Sequence, residues 1–181
     1  VAEHMRMIEL AGAEPVAVKK VEQLDEIEGI IVPGGESTTI GKLIQKYQFF
    51  DRLIQFSEQK KPIFGTCAGL IILAKEINGT SDKHLALMDI KVERNAFGRQ
   101  RESFEIDLEV KGVAEDFRGV FIRAPYIMEV KENVEVLSVF DQKIVAVRQE
   151  HLLGSAFHPE LTEDPRFHQY FVNMIKEYRG E

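Results

Sequence analysis

The chain of 181 residues contains one cysteine, Cys67, set in the pentapeptide GTCAG between the apolar run PIF and the longer run LIILA. That setting fits a sharp turn from a strand into a helix. Gly65 and Gly69, with the small Ala68 between them, leave room for the backbone to close tightly around a strained residue, as in the G-x-S-x-G nucleophile elbow with sulfur in place of oxygen. A helix N-terminus favours thiolate over thiol. The amide of Ala68 would face an oxyanion formed on a carbonyl that the sulfur attacks. A free cysteine can equally serve as a small buried apolar residue, so the nucleophile reading requires a base.

Five histidines are available. His4 and His168 fall on expected surface helices, His84 in a polar turn and His151 in a hairpin connection; a solvated or structural role suits each. His158 differs, because it closes the run LLGSAF and precedes Pro159 and Glu160. Proline keeps the chain extended and halts the strand, which places His158 at a strand end, where sites collect in parallel sheets. Glu160 can accept a hydrogen bond from one imidazole nitrogen and leave the other to take the thiol proton, the logic of a nucleophile, base and orienting acid. A simple turn remains the alternative for His-Pro-Glu taken alone.

A third segment, PGGES at 33–37, puts two glycines where an apolar run ends, so that backbone N–H groups can approach a ligand closely. Gly35 N–H is a candidate second oxyanion donor beside Ala68. The competing readings are a phosphate loop or an ordinary strand-to-helix turn, but neither G-K-[ST] nor G-x-G-x-x-G is present.

Elements that could position these residues are legible along the chain. A helix is expected over AEHMRMIEL, with Met5, Ile8 and Leu10 near one face and Gly12 as its stop, then a strand in AEPVAVKK, a short helical or turn segment at VEQLDEIEG and a buried strand at IIVP. Helices are expected from Ser37 or Thr38 through Tyr47, near 50–59, and over AGLIILAKEI after the strand PIFG. The second half reads as alternating strands (ALMDIKVER, SFEIDLEV, GVFIRAP, VEVLSVF, KIVAVRQ and LLGSAF) with a turn at Asp141-Gln142. The last segment is a helix capped by Asp164 and Pro165 whose buried stripe is Phe167, Phe171, Met174 and Tyr178. The pattern implies an α/β fold: a three-layer α/β/α sandwich whose central sheet is mostly parallel, with antiparallel strands in the C-terminal half. One domain over residues 1–181 is expected. A helix opening an α/β chain implies a preceding strand that the sequence lacks.

Composition narrows the partners. With a net charge of −7 and acids interspersed among Lys and Arg, no basic stripe for nucleic acid is present. No run approaches the length of a membrane span, and a single thiol suits a reducing cytoplasm.

GTCAG, a late HPE and the upstream PGGES together resemble the triad (class I) glutamine amidotransferases. PGGESTT, GTCAGLIILAKEI, VERNAFGRQRESFE, GVFIRAP and SAFHPELTED, in that order over almost the whole chain, resemble the glutaminase subunits of pyridoxal 5′-phosphate synthase in particular. The resemblance implies a flavodoxin-like fold, and a Cys67–His158–Glu160 triad that hydrolyses L-glutamine through a γ-glutamyl thioester. It further implies that Gly35, Glu36, Ser37, Arg94, Ile122 and Arg123 contact glutamine, with Gly35 and Ala68 forming the oxyanion hole and neither a metal nor a cofactor required. Ammonia would pass to a barrel-shaped synthase subunit in a hetero-oligomeric complex that makes the vitamin B6 cofactor. Read without the resemblance, Arg94 and Arg123 are equally ordinary surface ion-pair residues. Two departures stand out: the family's first strand is missing, and Tyr126 stands where the family usually carries histidine, so Tyr126 is given no catalytic role. Two rivals remain: a non-catalytic interaction module of the same fold, and another cysteine hydrolase acting on γ-glutamyl substrates.

Overall fold

The computed structural model describes residues 1–34, 48–79, 85–94 and 103–181. The helix expected from Ser37 or Thr38 lies outside these residues, as do Gly35, Glu36, Ser37 and His84. Helix α1 spans Ala2–Leu10 and ends before Gly12, whose φ of +89° is a left-handed value. A 3-10 helix over Val21–Glu26 leads into β1 (Ile30–Val32). Then come α2 (Phe49–Glu58), β2 (Ile63–Thr66), α3 (Ala68–Leu73), β3 (Ala74–Ile77) and β4 (Met88–Glu93). The antiparallel pair β5 (Ser103–Val110) and β6 (Ala114–Ile122) forms a separate ribbon. It is followed by β7 (Tyr126–Val130), β8 (Glu135–Phe140), β9 (Lys143–Gln149), β10 (Leu152–Ser155) and α4 (Arg166–Tyr178).

The main sheet runs β1-β2-β10-β9-β7-β4-β3, with β8 on β9. Its β1-β2-β10 end is parallel, whereas β9 joins both β10 and β7 in antiparallel register. Helices cover both faces at β2. Phe64 stacks on Phe167 of α4 at 5.1 Å, while the next residue, Gly65, turns toward α3, where an added Cβ would meet Gly69 O at 2.6 Å and Leu73 at 2.7 Å. This is the three-layer α/β/α arrangement that strictly buried parallel strands need. Among the described residues, no helix is long and apolar enough to cross a membrane.

Several local expectations change. AEPVAVKK forms no strand. The stretch runs beside a groove of about 810 Å³ bordered by Ile8, Val16, Val18 and Ile30, and among the described residues it pairs with no strand. The buried face of α1 is His4 and Met7, with Ala11 just beyond, while Leu10 points to solvent. The helix expected through Ile77 stops at Leu73: all six residues of α3 are buried, and Ala74–Ile77 instead pairs in parallel with β4 across a bulge that leaves Lys75 and Glu76 exposed. YIMEV is a strand that the sequence reading passed over. Tyr178 is exposed, and His168 takes its place in the buried face of α4. The Asp141-Gln142 turn holds: both residues have positive φ, 51° and 63°, as a two-residue hairpin of matching twist requires.

The core that matters for the site is aromatic. Phe157, fully buried, lies 5.5 Å from Phe121 and 6.0 Å from Phe117 on β6, and 5.7 Å from Phe167 on α4, ring centre to ring centre. Burying one such ring stabilises by roughly 1.5–3 kcal/mol. The residue that follows this anchor is His158.

Candidate active site

Three neighbouring parallel strands deliver the site from the same edge. β1 ends into Pro33-Gly34, β2 into Cys67 and β10, after a short bend, into His158. Cys67 has φ 52° and ψ −108°, a backbone conformation that costs a non-glycine residue on the order of 1–3 kcal/mol. The surroundings hold it there. Cys67 N–H donates to Ser155 O at 2.8 Å, extending the β2–β10 ladder by one rung. The turn into α3 passes so close to β1 that a Cβ on Gly69 would sit 2.0 Å from Val32 O. The two glycines of GTCAG are therefore required by close backbone approach, as the sequence implied. Ala68 occupies the first position of α3, where a helix supplies no acceptor for the N–H.

His158 N–H donates to Val120 O at 2.8 Å, which ties the strand end to the β5–β6 ribbon. Its Nδ1 is 2.9 Å from Glu160 Oε2, and the two side chains are only 12% and 9% exposed. Glu160 lies in a 3-10 turn, Pro159–Leu161, that begins at the proline. Burial opposes a charge on His158, but the Cys67 sulfur and the Glu160 carboxylate overcome it and push the imidazole up to about 10. Burial also pushes the Glu160 carboxyl up; the hydrogen bond from His158 outweighs this and holds it below the usual carboxylate range. The result is a buried imidazole that holds a proton strongly whenever a thiolate lies beside it. The Cys67 sulfur is itself 3.9 Å from Ile122 O, the carbonyl at the end of β6, to which the thiol can donate.

Gly34 packs between the two key side chains: a Cβ there would lie 2.6 Å from His158 Cε1 and 3.2 Å from Cys67 Cβ. The first glycine of PGG thus makes room for the imidazole, a role that the sequence reading, fixed on Gly35, did not assign.

Cys67, Ala68, His158, Glu160 and Ile122 are brought together. Arg123 follows Ile122 with φ 46° and is exposed. Arg94 follows β4, whose last residue, Glu93, pairs with Tyr126 at the start of β7, so both arginines border the same end of β7. Tyr126 carries Lys143 over its ring at 5.7 Å. His151 is half-buried and 2.8 Å from Ser57 Oγ, a structural contact of the kind expected. His4 and His168 overturn the surface assignment: they are 5% and 0% exposed, and they lie behind Glu160. The signal for them was present, since His4 shares a helical face with Met7, and His168 with Phe171 and Val172.

The α/β/α fold with a cysteine elbow and a strand-end His-Glu pair places the protein in the class of glutamine amidotransferases. The model of the SNO glutamine amidotransferase family matches residues 1–177, and the chain belongs to that family. A protein of Brevibacillus brevis named pyridoxal 5′-phosphate synthase subunit PdxT is 61% identical over 180 residues, covering 99% of this chain and 94% of that one. One of the same name from a Geobacillus species is 63% identical with the same coverage. Among solved structures, a glutamine amidotransferase superposes with a TM-score of 0.92 at 50% identity, over 97% of this chain and 93% of the other. PurLQS from Thermotoga maritima shares the fold at a TM-score of 0.65 and 18% identity, over 95% of this chain and 91% of that one.

Proposed function

We propose that the protein hydrolyses the side-chain amide of L-glutamine through a thioester on Cys67 and delivers the ammonia to a synthase subunit that makes pyridoxal 5′-phosphate. The observation that carries the chemistry is the 2.9 Å contact of His158 Nδ1 with Glu160 Oε2, on the imidazole whose affinity for a proton the Cys67 sulfur raises. With Nδ1–H donated to Glu160, Nε2 takes the thiol proton. The sulfur attacks the amide carbon, and the negative charge that develops on oxygen is met by Ala68 N–H and, in this reading, by Gly35 N–H. His158 Nε2–H then protonates the departing nitrogen, the C–N bond breaks and ammonia leaves. Water, deprotonated by the same nitrogen, cleaves the thioester to glutamate and restores the thiol. Glu36, Ser37, Arg94, Ile122 and Arg123 bind glutamine in this reading; an arginine fork suits the α-carboxylate.

The name shared by relatives about 60% identical supports the synthase partner. A barrel-shaped partner in a hetero-oligomer and a cytoplasmic location belong to the same proposal. A glutamine-mimicking diazoketone tests it, with and without the synthase subunit: the reading requires a mass adduct on Cys67 and ammonia release from glutamine. No adduct in either condition would leave an interaction module. An adduct without ammonia release would point to another γ-glutamyl substrate.

A further inference from the structure

Behind the Glu160 carboxylate lies an imidazole pair that the reaction above does not use. His4 Nε2 is 3.5 Å from Glu160 Oε2 and 3.3 Å from Thr66 Oγ1, and His4 Nδ1 is 2.9 Å from His168 Nε2. We propose that His4 is a positioning residue for the Glu160 carboxylate, with His168 fixing the tautomer in which His4 does so. The inference rests on the reading of Cys67, His158 and Glu160 as a triad.

The tautomers follow from one atom. His168 Nδ1 is buried with no hydrogen-bond partner. Orphaned buried N–H groups are rarer than under-used acceptors, so the His168 proton belongs on Nε2, where it is donated to His4 Nδ1. Both rings are neutral, because burial lowers His4 to about 4 and His168 to about 3. The single His4 proton must then sit on Nε2, aimed at Thr66 Oγ1 and Glu160 Oε2. One carboxylate oxygen is thereby approached by two N–H groups, from His158 at 2.9 Å and from His4 at 3.5 Å. The longer approach is electrostatic rather than a full hydrogen bond. It nonetheless disfavours rotation of the carboxylate away from His158. Two buried imidazoles are a costly way to fill space that leucine and phenylalanine would fill, and among the described residues no metal-binding cluster explains them. Charged groups facing His4 are Glu160 and His158 from the strand end, and Glu3 from its own helix.

The test uses three substitutions at His4 in the full chain with its synthase partner. Gln can place an amide N–H where the ring Nε2 stood; Asn reaches only the Nδ1 position, toward His168; Leu does neither. His4→Leu and His4→Asn are expected to lower kcat for glutamine about 10-fold with KM changed less than about 2-fold, and His4→Gln to restore most of kcat. Because Cys67 is the single cysteine, the pH profile of its alkylation by iodoacetamide provides a second readout independent of glutamine: Leu and Asn should slow alkylation near neutral pH, and Gln should restore it. Unchanged kcat in His4→Leu, equal behaviour of Asn and Gln, or a loss confined to KM would overturn the proposal. If His4→Leu fails to fold, the Asn–Gln contrast decides alone. Wild-type protein that releases no ammonia would defeat the glutaminase reading, while the alkylation profiles would still judge His4.

Discussion

Cys67 N–H and Ser155 O, 2.8 Å apart, form the last rung between the strand that carries the sulfur and the strand that carries the imidazole. Ser155 Oγ then donates to Phe157 O at 2.9 Å, shaping the bend that turns the chain toward His158. The proposed nucleophile and base, 91 residues apart in sequence, are thus separated by one backbone hydrogen bond and three residues. Their relative position is set by ladder geometry and by the buried Phe157 ring, not by long flexible side chains.

Because Glu160 raises the affinity of His158 for its proton, Glu160→Gln should act in two ways. It replaces an acceptor-only carboxylate with an amide that can present either its oxygen or its NH2, so the Nδ1–H tautomer is no longer enforced, lowering kcat by on the order of 10²-fold or more. It also removes a group that raises the imidazole pKa, so the alkaline limb of kcat, where the ring can no longer protonate the leaving nitrogen, should move to lower pH. The pH–rate profile of glutamine hydrolysis checks both; an unmoved limb would show that the carboxylate does not act on His158.

Gly34→Ala should damage catalysis more than stability. The new methyl would lie 2.6 Å from His158 Cε1, and the ring can relieve that contact by swinging off its rotamer. A displacement of about 1 Å in a reacting group costs roughly 10²-fold in rate. Steady-state kinetics beside a thermal melt would show a large fall in kcat with a small change in Tm. At Gly69 the outcome should reverse: the obstacle is the Val32 carbonyl at 2.0 Å, which is backbone and cannot swing, so Gly69→Ala should be strongly destabilised.

These contrasts show what was legible in the sequence. Gly65, Cys67 and Gly69 advertise an elbow because the backbone approach they permit is local. Pro159 advertises the end of a strand for the same reason. The face that His4 shares with Met7 hints at burial, but its partners, Thr66, Glu160 and His168, come from three distant segments, so its contacts are not legible until those segments fold around it. AEPVAVKK was misread for the complementary reason: strand propensity is local, but a ladder partner is not. Of the proposed glutamine contacts, Ile122 is placed beside the sulfur by a β5–β6 ribbon whose docking onto the main sheet no sequence periodicity reveals.

The buried imidazoles should make the fold acid-sensitive in a defined window. His4 and His168 have folded-state pKa values lowered to about 4 and about 3 by burial, against about 6.5 when unfolded. Above pH ~6.5 neither state binds the proton; below it only the unfolded chain does, so stability falls as pH drops. The slope approaches ~1.4 kcal/mol per pH unit for each group. His151, also lowered by burial, adds to it in the same direction. Denaturant unfolding between pH ~6.5 and ~4.5, above the ordinary carboxylate range, isolates this effect. His168→Phe should flatten the slope, and an unchanged slope would mean that the ring is charged in the fold.

The strain at Cys67 yields the last prediction. With φ 52° and ψ −108°, any side chain at this position opposes the backbone, whereas glycine adopts such values freely. Cys67→Ala and Cys67→Gly should both abolish ammonia release. They should differ in stability, with Gly the more stable by about 1 kcal/mol, or roughly 2–4 °C in Tm for a chain of this size. Elsewhere in a helix or strand the order of Ala and Gly is the opposite. Comparing the two variants with each other rather than with wild type cancels most of the loss of the buried sulfur. The reversed order would identify the elbow as a conformation kept for reactivity at the expense of stability; the ordinary order would mean that the backbone relaxes once the thiol is gone.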